Sequence, residues 1–368
     1  MSVAEQTAPM LLADTSVDPE RRVSTGIRRS WWLIRAFLLA GANLIVFVFV
    51  SFFLVRLIPG DPVVIATGGR LTGADLEAAR ASYGLDGSLG EQLATYLGSL
   101  VQLDLGTSIA TGRPVAADLA IRIPATLELV FTGLLVASVV ALLLSHYVVT
   151  HRANRVSRIL LGYARSAGAL PEYVIGIAFI YLFFAVLGWA PAPSGRLDPM
   201  LIAPAQVTGF PILDALIAGD GRAASSYASR LALPVIVMMV AHAPLLMKTL
   251  IINLDHAIDE PSTKFRIASG ASRRTVLLSI YRRALPSVVA MLGMMFGLLL
   301  GGAVVLESLF ALGGLGQYAV DAVNASDIFA LRSFLLVVAA MCLAIYLAVD
   351  ILTMTLDPRR RVETGKGA

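Results

Sequence analysis

The 368 residues are 57% hydrophobic and only 15% charged, with a mean hydropathy of +0.78, whereas soluble domains run at about half apolar and a quarter charged. That excludes an ordinary soluble domain and points to a membrane protein, and a net charge of +4, scattered along the chain, gives no argument for nucleic acid. The single cysteine, Cys342, lies in an apolar run, which rules out an intrachain disulfide and a cysteine-built metal site.

Residues 1–30 are polar and rich in small side chains, and are expected to form a disordered cytoplasmic tail. A bilayer core takes about 20 apolar residues per helix. Six runs qualify, at 36–55, 129–150, 173–190, 231–247, 284–306 and 333–349. They are continuously apolar rather than alternating, which is the pattern of spanning helices and not of a barrel. The expected fold class is therefore all-α, a polytopic membrane protein with six transmembrane helices. No small-residue cleavage site follows the first run, so it is expected to be retained as a span over 31–57 rather than removed as a signal. Residues 58–123 carry polar helical patterns at 73–83 and 90–102 and are expected to form a small extracytoplasmic cap. The stretch 199–219 is apolar but interrupted by Pro199, Pro204 and Pro211, and reads as an excursion outside the membrane. Five further spans then make a core over 124–356, containing a cytoplasmic connection at 254–284 and followed by a tail at 357–368.

With both termini on one face, that face collects most of the 29 basic residues, in clusters such as Arg28 and Arg29, Arg152 to Arg165, Arg273 to Arg283 and Arg359 to Arg361. Positive-inside bias puts both termini in the cytoplasm. The clusters themselves read as topology signals and contacts with lipid headgroups.

Coupling to an ion gradient needs ionisable groups near the midplane, and the runs hold almost none. Glu128, Glu172, Glu307 and Asp350 lie near span ends, and His242 is the one mid-span group. It suits either a polar contact to a neighbouring helix or a place on a pathway. No metalloprotease, hydrolase or paired-aspartate motif is present, and no phosphate-binding loop. Active transport by this chain would need an ATPase on another polypeptide.

The connection near 254–284 has the marks of a docking element. Asp259, Glu260 and Pro261 suit a helix start, a short helix runs to Ser269, and Gly270 suits a left-handed stop. From Ser272 a basic amphipathic helix carries Val276, Leu277, Ile280 and Tyr281 on one side and leads to Leu285 and Pro286.

These features coincide with a family pattern. The chain resembles the first permease subunit of the ATP-binding-cassette importers for dipeptides, oligopeptides and nickel. Arg56-Leu57-Ile58-Pro59-Gly60-Asp61-Pro62 is similar to that subunit's signature after the first span. Tyr83-Gly84-Leu85-Asp86, the stretch ending in Gly106-Thr107-Ser108, Thr111 to Val115, Arg122 to Leu129, Glu307 to Gly316 and Asp357-Pro358-Arg359 continue the pattern in order. The resemblance covers nearly everything after residue 30. Gly270 aligns with the glycine of the family's coupling loop, with Ala268, Ser269, Ala271 and Ser272 around it. The family has small residues where this chain has Phe265 and Arg266, preceded by Lys264, and proline where it has Gly313.

The resemblance implies a type-I importer permease fold and a non-enzymatic subunit, with ATP and magnesium bound only by partner ATPases. It implies as partners a second permease, two cytosolic ATPases, an extracytoplasmic binding protein and membrane lipid, in the bacterial inner membrane. The implied cargo is short peptides, with nickel or a metal chelate as the alternative. For pathway lining the candidates are Met291, Met294, Met295 and Gly297, with His242. Close helix packing by the glycines at 293, 297, 301 and 302, and core packing by the methionines, are the competing uses.

Overall fold

The computed structural model describes residues 19–57, 60–166 and 168–356, with side chains from residue 34 to residue 353 except those at 58–59, 66 and 167. The expected tails 1–18 and 357–368, and with them the Asp357-Pro358-Arg359 motif, lie outside the described residues. All regular structure among the described residues is helical. In chain order the helices are α1 (Pro19–Val55), α2 (Pro62–Ala66), α3 (Ala74–Ser82), α4 (Leu89–Val101), α5 (Val115–Thr150), α6 (Arg155–Arg165), α7 (Glu172–Phe179) continuing as π-helix over Ile180–Val186, α8 (Pro211–Ile217), α9 (Gly221–Asp259), α10 (Pro261–Ala268), α11 (Arg273–Leu309), α12 (Leu315–Asn324) and α13 (Ile328–Leu356).

Five helices are long and apolar enough to span: Ile34–Val55 within α1, then α5, α9, α11 and Ile328–Thr353 within α13. The third expected span differs. Residues 173–190 were expected to cross as one helix, and the apolar helix there, Glu172–Val186, is shorter. At about 1.5 Å per residue it falls short of a core about 30 Å thick. The reason is local. The helix starts where expected, just after the extended Pro171, and ends early because Gly188 takes a positive φ (64°) and the Trp189 and Ala190 N–H groups fold back onto Phe183 O. The Tyr163 hydroxyl donates to Val240 O at 3.0 Å and Glu172 meets His242, so the α6–α7 junction lies beside the middle of α9 rather than at its end.

Other boundaries also move. The backbone is already helical from Pro19, so residues 19–30, expected in the disordered tail, extend the first helix. α5 begins at Val115, so the helix of the second span starts within the residues expected in the cap 58–123. The expected amphipathic segment after Ser272 is not separate from the fifth span; α11 runs unbroken through Pro286, which its neighbours tolerate as membrane helices commonly do.

Association of helices in lipid depends on close packing rather than on expulsion of water. α5 lies against α9 through small residues: Ala137 and Ala141 are buried, and a Cβ on Gly133 would press 2.6 Å from Met238 Sδ. α13 approaches α11 over Gly293, where a Cβ would meet Val349 at 2.8 Å, and over Gly297, where it would run into the Tyr346 hydroxyl. One cluster, with Leu246, Leu250 and Leu254 of α9 against Ile280 and Ala284 of α11, fills the end of the bundle near α10. A second, around Leu129, Met238, Phe296 and Leu306, fills the middle. The third, with Val115, Leu119, Tyr318 and Phe329, ties α5, α12 and α13 to the residues before Val115.

The cap is built on local signals. Asp61 caps α2 through the N–H groups of Val63 (2.9 Å) and Val64 (3.2 Å) and pairs with Arg80 of α3. Ser88 and Glu91 form a reciprocal capping box at the start of α4. At the same end of the bundle Glu307, 1% exposed, closes the corner between α11 and α12. It accepts from Thr126 Oγ1 (2.5 Å) and from the Gly316 N–H (2.6 Å), while the Leu315 N–H donates to Thr126 Oγ1 (2.8 Å). Gly316 is required by space: a Cβ there would run into the Val304 backbone.

Replacing Gly316 with alanine is expected to cost about 1–3 kcal/mol by overpacking, read as a lower unfolding midpoint of the detergent-purified protein. The same change at Gly301, which lies inside α11 with nothing within 4 Å, should hold or raise the midpoint, since a mid-helix glycine is itself unfavourable. Equal losses at both positions would place the cost elsewhere.

Candidate functional site

The residues singled out around Gly270 form an elbow between α9 and α11. α9 continues from residue 247, where its apolar run ends, to Asp259, about 18 Å at 1.5 Å per residue. α11 starts at Arg273, about 16 Å before the fifth apolar run begins at 284. Two buttressed helix extensions therefore carry α10 away from the apolar part of the bundle. Leu250, Ile251, Leu254 and Ala257 of α9 are buried against Val276 and Ile280 of α11, so the core extends into the elbow itself.

Each turn of the elbow is fixed by the chain's own polar groups. α9 ends at Glu260, which is extended, and Pro261 opens α10 without needing a donor. Thr263, fully buried, donates to Ala257 O at 2.7 Å. α10 stops at Gly270, whose φ is 75°. The Gly270 N–H bonds Ile267 O (3.1 Å) and the Ala271 N–H bonds Arg266 O (3.1 Å), the paired pattern of a Schellman stop. Ser272 then caps α11 by accepting from the Thr275 N–H at 3.3 Å. Arg283 pins the whole element. Its guanidinium reaches back from α11 to Glu260 and Ser262, with Thr263 Oγ1 at 3.3 Å and Ser279 Oγ at 2.7 Å. Two further ties join neighbours: Arg152 pairs with Asp255, and Tyr281 Oη shares a 2.7 Å hydrogen bond with His146 Nδ1 of α5.

What the elbow presents outward is apolar and basic. Phe265 is 73% exposed, Ile267 and Leu278 are exposed, and Arg266, Ala268, Ser269 and Ser272 face solvent with them, while Ala271 packs on the core. Lys264 lies 3.8 Å from Asp259, both side chains largely in solvent, where such a pair contributes little.

The pathway candidates do not converge. Met295 is 3% exposed and belongs to the core, Met291 packs against the same cluster, and Met294 is 66% exposed. Gly297 is a packing site for Tyr346, and of the other glycines of α11, Gly293 and Gly302 pack closely while Gly301 is open. His242 has a partner that spacing could not supply: its Nε2 lies 3.1 Å from Glu172 Oε2, at the start of α7, in space left by Gly302 of α11. Glu172 Oε1 is buried with no hydrogen-bond partner. Sequence reasoning found both residues but not their pairing, and it missed Arg283 as the pin, whose one local signal was its place in a run of basic residues.

Comparison with known proteins places this geometry. Residues 133–362 match the family described as the binding-protein-dependent transport system inner membrane component, and residues 30–130 match the family of its N-terminal part. The chain is 34% identical over 334 residues to the probable D,D-dipeptide transport system permease protein DdpB of Escherichia coli K12, covering 90% of this chain and 96% of that protein. It is 31% identical over 313 residues to the di/tripeptide transport system permease protein DppB of Pseudomonas aeruginosa UCBPP-PA14, with 84% and 93% covered. It is 28% identical over 339 residues to the dipeptide transport system permease protein DppB of Escherichia coli K12, with 91% and 98% covered. A helical bundle with an elbow held out between its two longest central helices, matched along both its cap and its core, belongs to the binding-protein-dependent transport system inner membrane component family.

Proposed function

We propose that this chain is one of two permeases in an ATP-driven importer of short peptides. It is a peptide permease subunit of the ATP-binding-cassette class, as its relatives named for dipeptide, tripeptide and D,D-dipeptide transport support. Those names favour peptides over the metal chelates that the same sequence pattern allows. The finer reading adds two cytosolic ATPases that dock on the elbow, a second permease beside this one, and an extracytoplasmic binding protein received by the cap. The chain lies in the inner membrane with both termini and the elbow in the cytoplasm, as the distribution of basic residues supports.

The elbow is the observation that carries this reading. A transporter of this kind must transmit closure of an ATPase into a repacking of helices. A soft loop would absorb the motion. Here α10 is locked to α9 by Thr263, to α11 by Arg283, and to its own stop by Gly270, and α11 is one continuous helix from Arg273 to Leu309. Displacement of Phe265 therefore reaches the middle of the bundle along α11 and α9. The larger Phe265 and Arg266, where the family pattern has small residues, deepen the contact with an ATPase groove.

Two substitutions test the coupling role in the assembled transporter. Phe265→Ala removes an exposed ring at no packing cost, and is expected to weaken ATPase docking by about 2 kcal/mol, roughly thirty-fold. Peptide uptake into proteoliposomes should fall while the unfolding midpoint of the permease stays unchanged; undiminished uptake would remove Phe265 from the interface. Gly270→Val places a β-branched residue in the left-handed region at a cost of roughly 1–2 kcal/mol and should leave ATP hydrolysis unresponsive to peptide-loaded binding protein. Gly270→Asn, which tolerates that conformation, should retain the response. Equal activity of the two variants would count against the corner as the transmitting element.

A further inference from the structure

At the cap end of α1 and α13 two arginines face one cavity and neither has a carboxylate partner among the described residues. Arg56 follows the end of α1, and Arg332 lies in the first turns of α13. Between them is a space of about 180 Å3 whose walls include Phe52, Gln92, Tyr96, Ser99 and Phe329. A second space, about 240 Å3, shares Val55, Arg56, Leu85 and Gln92 with it. The Arg332 guanidinium is held between two rings, 4.5 Å from the centroid of Tyr96 and 4.2 Å from that of Phe329. Its faces are therefore covered and its donors are left at the edge, where Nε is buried with no hydrogen-bond partner. Arg56 stacks on Phe52 at 4.6 Å and donates to Gln92, a neutral acceptor.

The nearby acids are committed elsewhere. Asp104 also lines the first space, and its Oδ1 accepts from the Gly106 N–H at 2.9 Å. Asp327 is taken by Ser108 Oγ (2.5 Å) and the N–H groups of Ala110 (3.2 Å) and Ala330 (3.1 Å), and Asp61 by Arg80 and the start of α2. Asp104 and Asp327 still attract Arg332 at longer range, and the two guanidiniums repel each other. A mostly buried cation without an ion-pair partner is costly, and a planar guanidinium with free edge donors is shaped for a two-oxygen anion. The level of the site identifies the source of that anion. Phe53, Leu54 and Leu57, beside Arg56 at the end of the first span, are all exposed, so apolar helix surface meets the arginines where hydrocarbon gives way to headgroups.

We propose that this cavity binds the headgroup phosphate of an anionic phospholipid from the cap-side leaflet, between Arg56 and Arg332, with the acyl chains along Phe53, Leu54 and Leu57. The bound lipid ties α1 to α4 of the cap and to α13. It relieves the repulsion between the two guanidiniums and completes the donors of Arg332.

The test is a titration of the complete transporter, purified in mild detergent and stripped of lipid, with phosphatidylglycerol, phosphatidylcholine or inorganic phosphate, following bound lipid by native mass spectrometry and the unfolding midpoint. Phosphatidylglycerol should bind and raise the midpoint, with phosphatidylcholine and phosphate doing neither. Arg56→Gln, on an exposed side chain whose contacts are Gln92 and the Phe52 ring, should weaken phosphatidylglycerol binding by about tenfold, the scale of one charge-assisted hydrogen bond. Arg332→Lys keeps the charge but loses the fork, and should weaken binding as well. Unchanged phosphatidylglycerol affinity in Arg56→Gln overturns the site, as does equal binding of phosphatidylcholine. Phosphate binding as tightly as the lipid would overturn the lipid assignment in favour of a free anion.

Discussion

In hydrocarbon every backbone N–H and C=O left without a partner costs several kcal/mol, and the architecture follows from that requirement. It forces the spans into helices and then makes each helix end a problem to be solved. At five helix starts the chain solves it with its own side chains. Asp61, Ser88, Asn154, Asp220 and Ser272 each accept from the first turns of the helices they precede. Glu307 does the same from a distance, reaching the N–H groups of α12 from the end of α11. Its carboxylate is almost wholly enclosed, and Thr126 and Gly316 leave it room and partners. The corner it makes sets where α12 and α13 begin, and so where the cap meets the bundle.

The same requirement explains the elbow. Once α9 and α11 leave the apolar run, their exposed ends compete with water, and an unpinned connection would fray. Buried apolar contacts between Leu254, Val276 and Ile280 carry the core outward, and the Schellman stop at Gly270 together with Arg283 satisfies the remaining groups. The result is a lever whose tip, Phe265, is exposed while its base is core. Rigidity and exposure in one element suit the proposed transmission from an ATPase to the bundle.

The Glu172 and His242 pair shows a different balance. Two ionisable side chains meet inside the bundle, one carboxylate oxygen has no partner, and Gly302 provides the space. Ionisable groups inside a membrane bundle are costly and are found paired with one another. The pair joins α7, which is short and partly π-helical, to the middle of α9, and a π segment is a common companion of functional irregularity.

By itself the sequence determined the all-α membrane class, the places of five long helices, the cap helices α3 and α4, and the elbow from Pro261 to Ser272. These are set by apolar run length, capping residues and a glycine in the left-handed region, all of which act over a few neighbouring residues. It also carried the family pattern, because the blocks from Arg56 to Gly316 keep their order. Only the tertiary structure decided that Glu307 serves α12, that Glu172 answers His242, that Arg283 pins α10, and that Arg332 sits between Tyr96 and Phe329. It also divided Met291, Met294 and Met295 among different surroundings and shortened the third apolar helix. Each of these depends on which side of one helix faces another, and helical periodicity fixes a face without naming the neighbour that will cover it.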